Sequence, residues 1–160
     1  MFCKSTHFIL KIAMNEENGI VEMALVILTS RLQEKTISLT SPGDVEKYLL
    51  LRLIQEERET FGALWLDAKN RLIACETIAL GTINQLQLYP REVMKSALKH
   101  NAASGIFFHN HPGGECMPSA SDKLMTQDMK RLLNMIGVRL IDHIIVAGTQ
   151  TWSFAKHEEM

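Results

Sequence analysis

The chain has 160 residues, of which 46% are hydrophobic and 22% are charged, and its formal net charge is -1. This composition is typical of a folded globular domain and excludes the disordered and fibrous classes. The longest apolar runs are far shorter than the roughly 20 residues of a membrane helix, and the chain lacks the basic clusters of dedicated DNA-binding domains. Three scattered cysteines do not describe a disulfide framework. We therefore expect a cytoplasmic protein with no membrane association.

The N-terminal half combines helical spacing of apolar residues with one hairpin pattern. Serine followed by proline marks a helix start, because serine caps the helix and proline suits its first position. Two β-rich runs joined by a short polar turn are typical of a hairpin. The patterns predict a helix over 23–32, a helix from Ser41 to about Glu57, and strands over 60–67 and 71–78.

The C-terminal half alternates helices and strands. The patterns predict a helix over 90–100, a strand over 104–109, a helix from Ser119 or Ser121 to Ile136, and strands over 138–147 and 151–154. Helices interleaved with hairpin-linked strands indicate an α/β fold, with a mixed β-sheet sandwiched by helices. We assign this single domain to residues 41–160 and predict a partly helical N-terminal extension over residues 1–40.

Two histidines lie at the end of the predicted strand over 104–109, with one residue between them. Side chains alternate faces along a strand, so His109 and His111 can point to one place while Asn110 faces away. A Pro-Gly-Gly turn follows and can return the chain so that Asp122 meets the histidines. Two imidazole nitrogens and one carboxylate, with a position left for water, are the ligand set of a catalytic zinc site.

A purely structural interpretation of the same residues stays open. Ser119 and Asp122 have capping-box spacing, so both can serve the backbone amides at a helix start. A histidine pair at a strand end can also make ordinary hydrogen bonds. The residue chemistry alone does not separate these two interpretations.

The motif resembles a known family. His109-x-His111-Pro112, six residues, then Ser119-x-x-Asp122 matches the JAMM signature of MPN-domain metalloenzymes. The similarity to the bacterial RadC-like branch of that superfamily covers roughly residues 41 to 156. It is carried by Tyr89-Pro-Arg-Glu-Val, Asn101-Ala-Ala, His109-Asn-His-Pro-Gly-Gly, Pro118-Ser and Leu140-Ile-Asp-His-Ile-Ile-Val. The resemblance implies an MPN (JAMM) domain with Zn²⁺ held by His109, His111 and Asp122.

The resemblance also implies the catalytic residues. Glu59, in the context Glu-x-x-Gly62-x-Leu, corresponds to the general base, which would take a proton from a zinc-activated water and pass it to a leaving amine. Ser119 would donate a hydrogen bond to the oxyanion. The implied reaction is hydrolysis of an amide or isopeptide bond in a peptide or protein substrate. Glu76 is the second choice for the base and Glu115 the third.

Several other polar residues receive structural roles. Cys116 lies where RadC-like sequences carry a different loop, so we expect a loop residue, with the alternative of a fourth zinc ligand. Asp142 and His143 are expected to be hydrogen-bonded strand residues in or near the core, and His100 a hydrogen-bonded residue at a helix end.

Two other enzyme classes are excluded by their residue spacing, and two alternatives to the metallohydrolase stay open. HNH endonucleases space their residues widely, and cytidine deaminases need a C-x-x-C pair that this sequence lacks. A DNA-associated module with a DNA-repair role, binding nucleic acid weakly, remains the main alternative. The sequence is expected to be a short form without the N-terminal helix-hairpin-helix region of longer RadC-like proteins. A metal-binding scaffold with latent activity is the third possibility, and the oligomeric state is not predicted.

Overall fold

The computed structural model describes residues 19–21, 23, 24, 27, 41–81 and 87–160. Residues 19–21, 23, 24 and 27 are helical; the rest of the helix predicted over 23–32, and most of the predicted extension, lie outside the described residues. The main domain has three described helices and five strands. They are α1 (Pro42–Leu53), β1 (Thr60–Leu66), β2 (Leu72–Leu80), α2 (Pro90–Lys99), β3 (Ser104–Asn110), α3 (Ala120–Met135), β4 (Arg139–Ala147) and β5 (Gln150–Ser153).

The five strands form one mixed sheet in the order β2-β1-β3-β4-β5. The β1–β2, β1–β3 and β4–β5 pairs are antiparallel, whereas β3 and β4 are parallel. The connection between the two parallel strands contains α3, as expected for a crossover. The predicted hairpin and the mixed sheet are therefore confirmed.

Helices cover both faces of the sheet. The α1 face packs a core that includes Leu49 of α1 and Phe108 of β3. On the opposite face, α2 and α3 pack Ala97 and Leu133 against a core that includes Phe107. Since Phe107 and Phe108 are neighbours on one strand, the two cores follow directly from strand alternation. The predicted sandwich is confirmed.

The first helix of the domain is shorter than predicted. It ends at Leu53, not near Glu57, and Ile54, which lies beyond it, is 50% exposed. Beyond Leu53 the backbone carbonyls of Glu56 and Arg58 accept hydrogen bonds from the side chain of Asn110. This long-range contact replaces the local helical bonds and leads the chain into β1.

Two glycines allow the central strands to lie close together. A Cβ on Gly62 would be 2.6 Å from the carbonyl oxygen of Glu76 and would also meet the ring of Phe108. A Cβ on Gly105 would lie 2.6 Å from the ring of Trp65. Gly62, part of the Glu-x-x-Gly-x-Leu context, is thus required for the packing of β1. None of the described helices is long and apolar enough to cross a bilayer.

Candidate metal centre

The candidate site lies where β3 ends, on the face of the sheet covered by α2 and α3. His109 is 1% exposed, and its Nε2 lies 2.9 Å from Nε2 of His111. Asp122 approaches from the first turn of α3, with Oδ1 3.4 Å from His109 Nε2 and Oδ2 3.6 Å from His111 Nε2. The structure therefore brings the three predicted ligands together.

A capping box holds Asp122 at this position. The Ser119 hydroxyl accepts a hydrogen bond from the Asp122 amide, and Asp122 Oδ2 accepts from both the amide and the hydroxyl of Ser119. Oδ2 thus serves the helix start while Oδ1 faces His109. Capping and metal binding, which the sequence left as alternatives, are compatible in one carboxylate.

Partial burial alone would raise the pKa of Asp122. The neighbouring His109 and His111 rings and the hydrogen bond from the Ser119 hydroxyl outweigh burial and hold its pKa well below the usual range. Asp122 is therefore anionic at neutral pH and supplies the negative charge that a dication needs.

One hydrogen bond assigns the proton on His111. Its Nδ1 lies 2.6 Å from the backbone carbonyl oxygen of Glu115. A carbonyl oxygen can only accept, so Nδ1 carries the proton. In the neutral imidazole, Nε2 of His111 therefore holds a lone pair directed toward His109.

A chain of buried hydrogen bonds assigns the proton on His109. The Thr126 hydroxyl donates to the carbonyl oxygen of Asp122 at 2.6 Å and must therefore accept from His143 Nδ1, 2.7 Å away. Burial lowers the pKa of His143 well below its usual value, so this ring is neutral and its Nε2 accepts. His109 Nδ1, 2.8 Å from that atom, is then the donor. A lone pair remains on Nε2 of His109.

The donor set fits a zinc ion. Two nitrogen lone pairs that face each other at 2.9 Å repel unless a proton or a metal ion lies between them. Two ligands of a tetrahedral zinc with bonds of about 2.0–2.1 Å are roughly 3.3 Å apart. The two Nε2 atoms are 2.9 Å apart, and each lies 3.4 or 3.6 Å from a different oxygen of Asp122, so all three distances are close to that value.

Glu59 completes the site from the position just before β1. Phe61 of β1 pairs with His109 of β3, and continuing this antiparallel register two residues further sets Glu59 opposite His111 on the same face. Ligand atoms of Glu59, His109 and His111 lie within 4.8 Å of one another. One water molecule can bridge groups at that separation. The structure thus brings the predicted base to the predicted ligands.

The family of the chain is shown by comparison with known proteins. Residues 39–160 match the RadC-like JAB domain. The chain belongs to this family. The RadC-like resemblance seen in the sequence, and the single α/β domain that it implies, are thereby confirmed.

Several curated relatives of this RadC-like JAB domain are UPF0758 proteins. UPF0758 protein YeeS of Escherichia coli (strain K12) is 43% identical over 141 residues, 88% of this chain and 95% of that protein. UPF0758 protein YkfG of the same organism is 44% identical over 142 residues, covering 89% and 90% of the two chains. A UPF0758 protein of Janthinobacterium sp. (strain Marseille) is 49% identical over 139 residues, 87% of this chain. The matched region is only 62% of that longer relative.

The second candidate for the base, Glu76, belongs to a different cluster of the RadC-like domain. Its carboxylate accepts hydrogen bonds from Ser96 and Lys99 and lies 2.8 Å from Nε2 of His100. The hydrogen bonds from the Ser96 hydroxyl and Lys99 and the contact with His100 lower the pKa of Glu76 to about 2. A carboxylate that ionises so readily is a weak proton acceptor. Glu76 and His100 join α2 to β2.

Other polar residues lie outside the triangle formed by His109, His111 and Asp122, here called the ligand triangle. They belong to the loop between β3 and α3 and to β4. Cys116 Sγ donates to Oε1 of Gln150 at 3.5 Å. Among the described residues, the close group of ligand atoms consists of Glu59, His109 and His111, and Asp122, Cys116 and Glu115 are not part of it. Asp142 is buried and accepts from the amides of His143 and Ala155 and from the Ser153 hydroxyl. It is a hydrogen-bonded strand residue, as predicted.

Sequence reasoning missed the contact of His143 with a predicted ligand. His143 was expected only as a hydrogen-bonded strand residue, yet it contacts His109 directly. The sequence does indicate that Thr126 lies near the site, because it follows Asp122 by one helical turn and so shares its helix face. The approach of His143 to His109 cannot be predicted in this way, because it depends on the parallel pairing of β3 with β4, which aligns His143 with Phe107.

The Thr126–His143 chain leads to a prediction. We expect Thr126→Val to weaken zinc binding roughly 10–100-fold, the usual effect of removing an outer-shell partner of a metal ligand. Without the hydroxyl, His143 is free to change tautomer and to push the proton of His109 onto Nε2, where the metal would bind. Competition titration with a chromophoric chelator measures the affinity, and ring ¹⁵N NMR reports the tautomers. Thr126→Ser is the matched control, and equal affinities for both variants would contradict the assignment.

Proposed function

We propose that this RadC-like domain is a zinc-dependent hydrolase of JAMM type that cleaves amide or isopeptide bonds in peptide or protein substrates. One observation carries the proposal. Two histidine lone pairs and a carboxylate converge on one point, with a second carboxylate, Glu59, beside them. This is the combination of a three-ligand metal site with an adjacent base.

In the proposed enzyme His109, His111 and Asp122 hold the zinc ion. When bound, zinc supplies a Lewis acid and an acidified water at neutral pH. Glu59 takes a proton from the attacking water and delivers it to the leaving amine, so that the amine departs neutral. The Ser119 hydroxyl, which donates to Asp122 in the present arrangement, would rotate to donate to the developing oxyanion.

A cleft lies beside His111, on the opposite face of the sheet from His109 and Asp122. It has a volume of about 350 Å³ and opens on the α1 face of the sheet. Its wall is part apolar and part acidic, formed by Leu53, Ile54, Glu56, Glu57, Asn110, His111, Pro112, Val146 and Gly148. Its lining contains none of His109, Ser119, Asp122 and Glu59, so the proposed substrate class rests on the chemistry of the ligands and the base and not on this cleft.

The test uses untagged protein loaded with zinc and two fluorogenic panels, one of linear peptides and one of lysine-linked isopeptides. The proposal expects cleavage that a chelator removes and that added zinc restores. Full zinc occupancy with no cleavage of either panel would contradict the hydrolase and favour the metal-binding scaffold.

The pKa of His111 leads to a pH prediction. Its hydrogen bond with Asp122 raises the pKa of His111 above the usual 6.5, so a proton on this ring competes with the metal at neutral pH. Zinc affinity should be highest above the raised pKa and fall about tenfold per pH unit below it, because binding displaces one proton. The loss should already be under way at pH 6.5. Chelator competition across this range measures it, and an affinity independent of pH would contradict proton displacement at His111.

A further inference from the structure

Asn110, the residue between the two histidines, has no part in the ligand triangle. Strand alternation turns its side chain to the α1 face, away from His109, and there it is 4% exposed. A buried amide requires partners for its polar atoms, since an unpaired buried donor or acceptor destabilises the fold. Its partners therefore show what the residue does.

The Asn110 amide bonds two backbone groups of the segment between α1 and β1 and one at the first residue of β1. Its Oδ1 accepts from the amide of Thr60 at 2.7 Å. Its Nδ2 donates to the carbonyl oxygens of Arg58 at 3.0 Å and Glu56 at 3.1 Å. Two of these groups, the Arg58 carbonyl and the Thr60 amide, directly flank Glu59 in the chain.

The segment that Asn110 bonds belongs to neither a helix nor a strand. Residues 54–59 lie between the end of α1 and the start of β1, and residues 54–58 are exposed. On its other side, the carbonyl oxygen of Glu59 accepts from the amide of Gly81 at 2.7 Å. Glu59 is thus held between the end of β2 and the Asn110 side chain. Without the Asn110 amide, the Glu56 carbonyl would lose this donor, and the Arg58 carbonyl would keep only the hydrogen bond from the Thr60 hydroxyl at 3.3 Å.

We propose that Asn110 is a positioning residue that holds the Glu59 carboxylate at its working distance from His109 and His111. The inference rests on the proposed function, in which Glu59 is the base. Because Asn110 is covalently placed between two predicted ligands, one residue connects the position of the base to the position of the metal. Its side chain acts on the opposite face of the sheet, so it does this without touching the metal.

Kinetics of Asn110→Ala and of the near-isosteric Asn110→Asp test the inference. In Asn110→Asp one oxygen can still accept from Thr60, but the other faces two carbonyl oxygens. We expect kcat to fall about 10–100-fold with KM and zinc affinity nearly unchanged, since misplacement of a catalytic group by about 1 Å costs up to 10²-fold. Asn134→Ala, at an exposed position of α3, is the matched control and should keep wild-type kcat.

A double-variant cycle separates positioning from general destabilisation. In a Glu59→Gln background there is no base to position, so adding Asn110→Ala should lower kcat less than about twofold further. An equal fall in both backgrounds would overturn the inference, as would wild-type kcat in both Asn110 variants.

Two readouts do not need turnover. Hydrogen exchange over residues 56–60 should be faster in Asn110→Ala, with β3 and α3 unchanged, and a crystal structure of the variant should show the Glu59 carboxylate displaced from the histidines. If the wild type cleaves no substrate, the proposed function fails, and these measurements still decide whether Asn110 holds Glu59. Unchanged exchange and an unmoved Glu59 would overturn the inference.

Discussion

Glu59→Gln is expected to abolish hydrolysis while zinc stays bound. Glutamine keeps the size of the side chain but cannot take a proton from the attacking water. Loss of a general base usually costs about 10²–10⁴-fold in rate. Values of kcat/KM on a cleaved peptide, measured together with zinc content, test the expectation.

Glu76→Gln is the matched control for this experiment. Glu76 is bonded to Ser96, Lys99 and His100, so its substitution removes a link between α2 and β2 without changing the base. We expect this variant to keep zinc and most of its activity at temperatures where it is folded. Activity lost in Glu76→Gln and kept in Glu59→Gln would reverse the assignment of the base.

Loss of zinc is the second large effect, expected for His109→Ala and for Asp122→Asn. The alanine removes one of the two facing lone pairs, and the asparagine removes the negative charge while its amide oxygen can still cap α3 through Ser119. Each should weaken zinc binding by more than the roughly 10–100-fold expected for an outer-shell change such as Thr126→Val.

Chelator competition ranks these variants, with Cys116→Ser as the control because Cys116 bonds Gln150. The account expects wild-type affinity for Cys116→Ser. A Cys116 variant as weak as Asp122→Asn would show that the thiol is a ligand. Unaltered affinity in both His109→Ala and Asp122→Asn would place the metal elsewhere.

Much of the fold follows from local signals in the sequence. Proline at the first helical position located the starts of α1 and α2, and β-rich runs around a polar turn located the hairpin. The end of α1 did not follow, because the carbonyls of Glu56 and Arg58 are satisfied by Asn110, more than 50 residues away. Contacts across such a distance leave no local pattern.

The candidate site, too, contains residues whose positions follow from local sequence patterns and residues whose positions do not. Strand alternation predicted that His109 and His111 share a face, and capping-box spacing predicted that Asp122 begins a helix. The assignment of Glu59 depended on a family resemblance, because in the sequence alone it is one acid in a charged run. The hydrogen bond from His109 to His143 depends on the parallel pairing of β3 with β4, which is known only from the fold.

Anomalous diffraction at the zinc edge tests the central claim most directly, using crystals of untagged protein grown without added chelator. The account predicts one strong peak within bonding distance, about 2.0–2.2 Å, of His109 Nε2, His111 Nε2 and an Asp122 carboxylate oxygen. A peak at the Glu76–His100 cluster or at Cys116, or no peak from zinc-loaded protein, would contradict it.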